Sequence, residues 1–393
     1  MPAPDSSHSD RRDDELLLLA ARGIIDDPDR LRSAAGKVED WPRIERLAGW
    51  HGLSPLLFHH LSQTCPESVP HDVLERFRDE FLLNSRRSLV QIGELLGVLD
   101  ILKTHGIQAV PYKGPVTAAM LYANPAFRVA GDLDLLVRPK DALGARQALE
   151  SAGYRSALQL SEPQDSFYRQ HSIGYSLVSP HHSTNVDLQW ELSPQRFTFR
   201  PPVERFRNRL VPIDLQGSAV ETFSPRDTLV VLCLHGSKHV WESLKWLVDI
   251  AELVRLFPEL DFQGALADAE AAGCGRTVHL GLLLASRLLD APVPPGIVAA
   301  AESDTSVRWM ADRIRGRLFN SAPTREGKAR IEVRLEATAL RQIRYVVRRL
   351  WMPTNDEWTN PAEGAFGRAR RPLRLIRFLI ARRLRPKKSG LDT

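Results

Sequence analysis

Apolar positions recur every three or four residues through the first hundred residues. The segments 14-DELLLLAARGII-25 and 72–106 carry this spacing most clearly. They predict amphipathic helices, the second stopped by Gly106. The period then changes. Residues 107-IQAVPYKG-114 read as a short β segment, with Pro111 at an edge or a strand start. Residues 115–123 begin with proline and continue with small residues, which predicts a helix. A loop, 124-NPAFRVAG-131, leads into a strand over 132-DLDLLV-137, and 139–153 reads as a helix stopped by Gly153. Further strands are expected over 153–160, 173–179 and 185–192. From Ser224 the helical period returns, with expected helices at 225–256, 261–273, 275–290, 296–318 and 326–351.

The pattern predicts an α+β protein. A polar, disordered tail over 1–12 precedes an N-terminal helical region at 13–105. A core with a small mixed sheet occupies 106–218, with the turn-rich stretch 193–218 as its seam. A C-terminal helical domain fills 219–352, and a basic tail closes the chain at 353–393. A length of 393 residues suits two or three domains.

Three cysteines, far apart and without a CxxC pair, argue against a disulfide framework and fit a reducing cytosol. The N-terminus lacks the apolar stretch of a signal peptide, and no apolar run approaches the roughly 18 residues of a membrane span. These features predict a cytoplasmic protein. The net charge of +5 is uneven. Residues 366–393 hold ten Lys/Arg against one Asp, so the remainder is slightly acidic.

The chemistry begins with 128-RVAGDLDLLVRPKD-141. In a strand, residues i and i+2 share a face, so Asp132 and Asp134 point one way and Leu133 and Leu135 the other. Two neighbouring carboxylates repel unless a cation lies between them. Such a pair suits magnesium, which takes hard oxygen ligands and substrate phosphates. It also suits a two-metal phosphoryl-transfer site. A later strand carries an isolated acid, Asp187, in 186-VDLQW-190. If the two strands are neighbours, three carboxylates converge. Taken alone, DLD also fits a solvated sheet edge.

The order of glycine turn, hDhDh and hDh resembles the polymerase-β-like nucleotidyltransferase superfamily. More closely, 112-YKGPVTAAMLYANPAFRVAGDLDLLV-137, 186-VDLQWEL-192 and 234-LHGSKHVWESLKWLVDIA-251 resemble the uncharacterised nucleotidyltransferase family found widely in bacteria. The resemblance spans about residues 15–355. It implies that Asp132, Asp134 and Asp187 hold two Mg2+ ions, with Asp187 helping to activate an acceptor hydroxyl. It further implies that an NTP is the donor, that pyrophosphate is released, and that Gly114 cradles phosphate. The chain departs from the superfamily at Pro115, where Ser or Gly is usual. Proline has no N–H to offer a phosphate. Lys113 can supply a point charge instead, and Arg128 can reach phosphate with two nitrogens. The departure also leaves open a protein that binds nucleotide or a partner without turnover.

On a continuous helix over 228–254, His235, Lys238, His239, Glu242, Lys245, Trp246 and Asp249 fall within an arc of about 120°. Two histidines and a tryptophan are unusual for a solvated face. The stripe is read as a cleft wall, with Lys238 and Lys245 near a triphosphate and His235, His239 and Asp249 also in the nucleotide site. It fits equally a satisfied polar face between helices. His235 and His239 have a zinc-capable spacing but lack a third ligand nearby. The segment 366–388 alternates Leu, Ile and Phe with arginine, as a basic amphipathic helix does. This suits an anionic membrane surface at the inner face of the membrane, or a partner protein. No motif for sequence-specific nucleic-acid binding is present.

Overall fold

The computed structural model describes residues 6–23, 27–181, 184–319 and 325–351. Five helices come first: α1 Ser6–Ala20, α2 Pro28–Ala35, α3 Trp41–His51, α4 Ser54–Thr64 and α5 His71–Thr104. Helix α1 starts at Ser6, inside the stretch expected to be disordered. A mixed segment follows, with β1 Val110–Pro111, α6 Pro115–Leu121, β2 Leu133–Leu136, α7 Ala142–Ser151 and β3 Arg155–Ser156. It continues with α8 Glu162–His171, β4 Gly174–Val178, β5 Asn185–Gln189, α9 Val203–Arg207, β6 Val211–Leu215 and β7 Ser218–Thr222. The C-terminal helices are α10 Pro225–Lys238, α11 Lys245–Leu256, α12 Phe262–Ala272, α13 Gly275–Leu289, α14 Pro295–Ser303, α15 Thr305–Leu318, α16 Arg325–Leu335 and α17 Ala339–Trp351. The basic segment 366–393 lies outside the described residues.

The main sheet runs in the order β1-β2-β5-β4-β3. Only β2 and β5 pair in parallel; β1–β2, β4–β5 and β3–β4 are antiparallel. The two acid-bearing strands are therefore neighbours, with Asp134 opposite Asp187. The seam read as turns holds a second sheet, the hairpin β6–β7. It docks on the edge strand β1 through Thr222, whose hydroxyl donates to the Pro111 carbonyl at 2.7 Å. Helix α8 was also not anticipated. It is opened by a capping box between Ser161 and Gln164 rather than by an apolar stripe.

Two hydrophobic cores organise the chain. Helices α1 to α4 and the start of α5 pack with α10, α11, α13 and α15 into one helical core. The regions expected as separate N- and C-terminal units thus share their interior. The second core joins the lower face of the sheet (Leu133, Leu135, Leu177, Val186, Leu188) to α7 and the end of α5. Helix α5, 34 residues and so about 50 Å long, belongs to both. It gives Val73 and Phe77 to the first core and Leu95, Val98 and Leu102 to the second. The upper face of the sheet, with Leu136, looks toward the helical core. The carboxylates emerge at this junction.

Three expected helices are each two. The run 296–318 breaks at Asp304, whose carboxylate accepts from the amides of Ser306 and Val307 and starts α15. The run 326–351 breaks before Thr338, which receives the amides of Arg341 and Gln342. The run 225–256 breaks after Lys238. Val240 and Trp241 adopt φ of 55° and 54°, a region costly for L-residues. Trp241 folds back into the core against Gly236, where an added Cβ would meet its ring at 2.2 Å. Burial of this indole, 1% exposed, offsets the backbone strain. The single stripe expected over 228–254 is therefore built from two helices and a turn.

Candidate active site

The site lies where the upper face of the sheet meets α10 and α11. Asp134, on β2, is 9% exposed. Lys113, just after β1, places Nζ 2.7 Å from Asp134 Oδ1 and 3.2 Å from His235 Nδ1. An ammonium can only donate, so His235 Nδ1 accepts and its ring proton is on Nε2. Gln189 Nε2 donates to the same Asp134 oxygen at 3.1 Å, and Tyr112 donates its hydroxyl to Gln189 Oε1 at 2.8 Å. Neither Gln189 nor Tyr112 was anticipated. The signal for Gln189 was its position two residues after Asp187, on the same strand face.

Asp187 is half-buried beside Asp134. Its carboxyl is pushed up to about 6, first by burial and then by the charges of Asp134 and Asp132. The Ser176 hydroxyl across the strand and Lys113 pull the other way. Asp132 lies just before β2 and is exposed. It accepts from Asn185 Nδ2 at 3.2 Å. Among the described residues no three His, Cys, Asp or Glu side chains are gathered into a ready metal cage. Lys113, Gln189 and Asn185 hold oxygens of Asp134 and Asp132. The donor set is nonetheless all hard oxygen, which suits Mg2+.

Gly114 fixes the turn above the acids. Its φ is +66°, and an added Cβ would lie 2.9 Å from the Asp132 carbonyl. Glycine is required there both for conformation and for close approach. Pro115 opens α6, and its ring occupies the position of the first helical N–H.

Arg128 and Asp249 lie in this region but face each other. Arg128 Nε and Nη2 donate to the two Asp249 oxygens at 2.9–3.1 Å, and Tyr122 adds its hydroxyl at 3.0 Å. Arg128 Nη1 points to the Gly114 carbonyl at 3.4 Å. The fork expected to grip phosphate is occupied by Asp249. In this arrangement the pair ties α11 to the glycine turn.

Lys238 and Lys245 are cations in a largely buried setting. The ammonium of each is held below its ordinary range, first by burial and then by a neighbouring cation, Lys113 for Lys238 and Arg128 for Lys245. Asp134 and Asp187 act in the opposite sense on Lys238, as Asp132 does on Lys245. The histidines are neutral. Burial, Lys113 and His239 drive His235 far below its usual range, and burial with Lys238 takes His239 to about 3. Trp246 packs against both rings, at 5.5 and 5.0 Å between centroids. Glu242, in the expected stripe, pairs instead with Lys328.

The turn that delivers Lys245 is held by the N-terminal helices. Trp50 Nε1 donates to the Glu242 carbonyl at 3.2 Å, and Ser243 donates to the His51 carbonyl at 3.0 Å. His51 Nδ1 accepts the Leu244 amide, so its Nε2–H donates to the Leu318 carbonyl at 2.9 Å. This fixes a neutral tautomer, and burial takes the His51 pKa down to about 4. An open groove of about 580 Å³ runs between Gly131, Thr184 and the middle of α5, where Leu83, Arg86, Arg87 and Val90 line it.

A family model described as uncharacterised nucleotidyltransferase matches residues 37–290, more than half of the chain. The matched span includes α3, every strand, and α10 and α11. No curated protein matches. A similar solved structure is the crystal structure of an antigenic nucleotidyltransferase-like protein from Paracoccidioides brasiliensis. It is 20% identical, the match covers 48% of this chain and 91% of that one, and the TM-score is 0.27. With carboxylates on paired parallel strands and a family match across the whole site, the chain belongs to the uncharacterised nucleotidyltransferase family.

Proposed function

We propose that this protein is a magnesium-dependent nucleotidyltransferase that moves an NMP from an NTP to an acceptor hydroxyl. The observation that carries the reading is the pairing of Asp134 with Asp187 on adjacent strands, beside buried Lys113 and half-buried Lys238 and Lys245. Asp132, Asp134 and Asp187 would hold the metal. Bound there, Mg2+ would neutralise the triphosphate and acidify the acceptor hydroxyl.

The remaining chemistry falls to side chains. Lys238 and Lys245 neutralise phosphate oxygens. Lys113, now on Asp134, is placed to shift to the triphosphate when cations take over the carboxylate. Asp187, beside Asp134 on the same face of the sheet, would take the acceptor proton. The acceptor oxygen bonds to the α-phosphorus as the bond to the bridging oxygen breaks, and pyrophosphate leaves. The groove lined by Gly131, the residue before Asp132, would give the acceptor an open approach.

Pro115 favours a second reading, a protein that binds nucleotide without turnover, since one amide of the glycine turn is missing. Calorimetric titration of each NTP with magnesium tests both, on wild type and on Asp134→Asn. Magnesium-dependent binding that the variant loses supports the site. Binding without pyrophosphate release in an acceptor screen supports the second reading. No binding of any NTP by folded wild type removes both.

A further inference from the structure

Helix α5 carries two arginines that the protein leaves unmatched. Earlier on the helix the arginines are paired: Arg76 binds Glu45 and Asp72, and Arg78 binds Glu75. Arg86 and Arg87 are exposed, and among the described residues no hydrogen bond or ion pair engages either guanidinium. Leu83, Arg86, Arg87 and Val90 follow at spacings of three and four and so share one face. That face is the α5 wall of the open groove. Leu83 and Val90 are 63% and 39% exposed there. No acid is among the described residues that line the groove.

The other wall leads toward the carboxylates. Asn84 donates to the Ala126 carbonyl at 2.7 Å, and Gln91 donates to the Gly131 carbonyl at 2.9 Å. These two buried amides moor the loop before β2 along α5. Gly131, the residue before Asp132, lines the groove with Gln91. Arg86 and Arg87 stand between the two moorings. They are five and four residues before Gln91, so about 6–8 Å from it along the helix axis.

The lining selects the occupant. Two unmatched guanidiniums take an oxyanion. Leu83 and Val90 take an apolar body beside it. A volume of about 580 Å³ is that of a small-molecule site. No aromatic side chain is among the described residues that line it, so the groove lacks the stacking platform of a single-stranded nucleic-acid channel. We propose that the groove is the acceptor subsite and that the acceptor is a small amphipathic oxyanion. Its phosphate or carboxylate sits on Arg86 and Arg87, and its hydroxyl is directed past Gln91 and Gly131 to the metal site. That hydroxyl oxygen bonds to the α-phosphorus, its proton passes to Asp187, and pyrophosphate leaves. The assignment rests on the nucleotidyltransferase reading proposed above.

Ligand-observed NMR titration of the full chain tests the subsite, in chelator and without nucleotide, with phenyl phosphate, benzoate and phenol as probes. Phenyl phosphate or benzoate should bind and phenol should not, and the tighter anion identifies the headgroup. Arg86→Gln with Arg87→Gln should weaken that binding by at least about tenfold, with an unchanged melting curve. Magnesium-dependent NTP binding by the same variant should match wild type, which separates this subsite from the nucleotide site. Wild type that binds NTP but neither anion overturns the subsite and leaves the transferase reading standing. Phenol that binds as well as the anions overturns it too, as does anion binding that survives the double substitution. Anion binding that Lys238→Met removes would place the probe at the metal site and also overturn it. Wild type that binds the anions but no NTP removes the transferase reading, and the acceptor role with it.

Discussion

Asp134 and Asp187 are register partners across the single parallel pairing of the sheet, and Lys113 is the cation that stands against them. A parallel pair places equivalent residues side by side on one face. The two carboxylates are therefore fixed by backbone pairing rather than by flexible side-chain reach. What varies is which cation compensates them.

The first prediction follows from the raised carboxyl of Asp187. Its unfolded value is 3.8 and its folded value about 6. Between these the folded state holds a proton that the unfolded state has lost. Stability from this group is therefore present at low pH and lost as pH rises through the window. In chelator, Asp187→Asn should gain stability over wild type near pH 7 and not near pH 4, in urea denaturation. Magnesium needs the ionised form, so its apparent affinity for wild type should climb through about pH 6 and then level.

The second concerns the buried pair Arg128–Asp249. Removing one partner leaves the other charge without compensation, at a cost of about 3–5 kcal/mol. Asp249→Asn should lower the unfolding free energy by that amount in urea denaturation. The double variant Arg128→Met with Asp249→Leu should recover much of the loss while nucleotide binding stays weak, because the glycine turn is no longer tethered.

The third separates Lys238 and Lys245 from that pair. Both ammonium groups sit in a largely buried setting that burial and neighbouring cations disfavour. Lys238→Met or Lys245→Met should leave stability unchanged or raise it, and weaken NTP binding by roughly tenfold each. Parallel melting and calorimetry would show the two effects moving in opposite directions.

Much of the site was legible because strand periodicity is short range. Asp132, Asp134 and Asp187 follow from alternation and a familiar order of motifs. Their adjacency did not follow, since it depends on β2 and β5 pairing across more than forty residues. The expected helical stripe is spread over two helices and a turn, and its Glu242 pairs with Lys328. No periodicity announces that Trp241 turns back on Gly236. Arg128 looked like a phosphate ligand because its acceptor, Asp249, is 121 residues away. The hairpin β6–β7 escapes the pattern because Pro212 and the charges at Asp214 and Glu221 read as turn residues.

The fourth prediction concerns Gly114. Gly114→Ala must hold a positive φ and approach the Asp132 carbonyl. The cost should be about 1–3 kcal/mol. Because that carbonyl belongs to a proposed metal ligand, magnesium affinity should fall further than stability alone explains, in calorimetry at a temperature where the variant is folded.

The division of α5 between two interiors has a mechanical consequence. The carboxylates ride on the sheet's interior, while Lys238 and Lys245 ride on the helical one. The site thus lies on a seam between two interiors with α5 as their common spine. Lys113 and the Arg128–Asp249 pair are the stitches across that seam, so the distance between carboxylates and lysines is set by these few polar contacts rather than by either core.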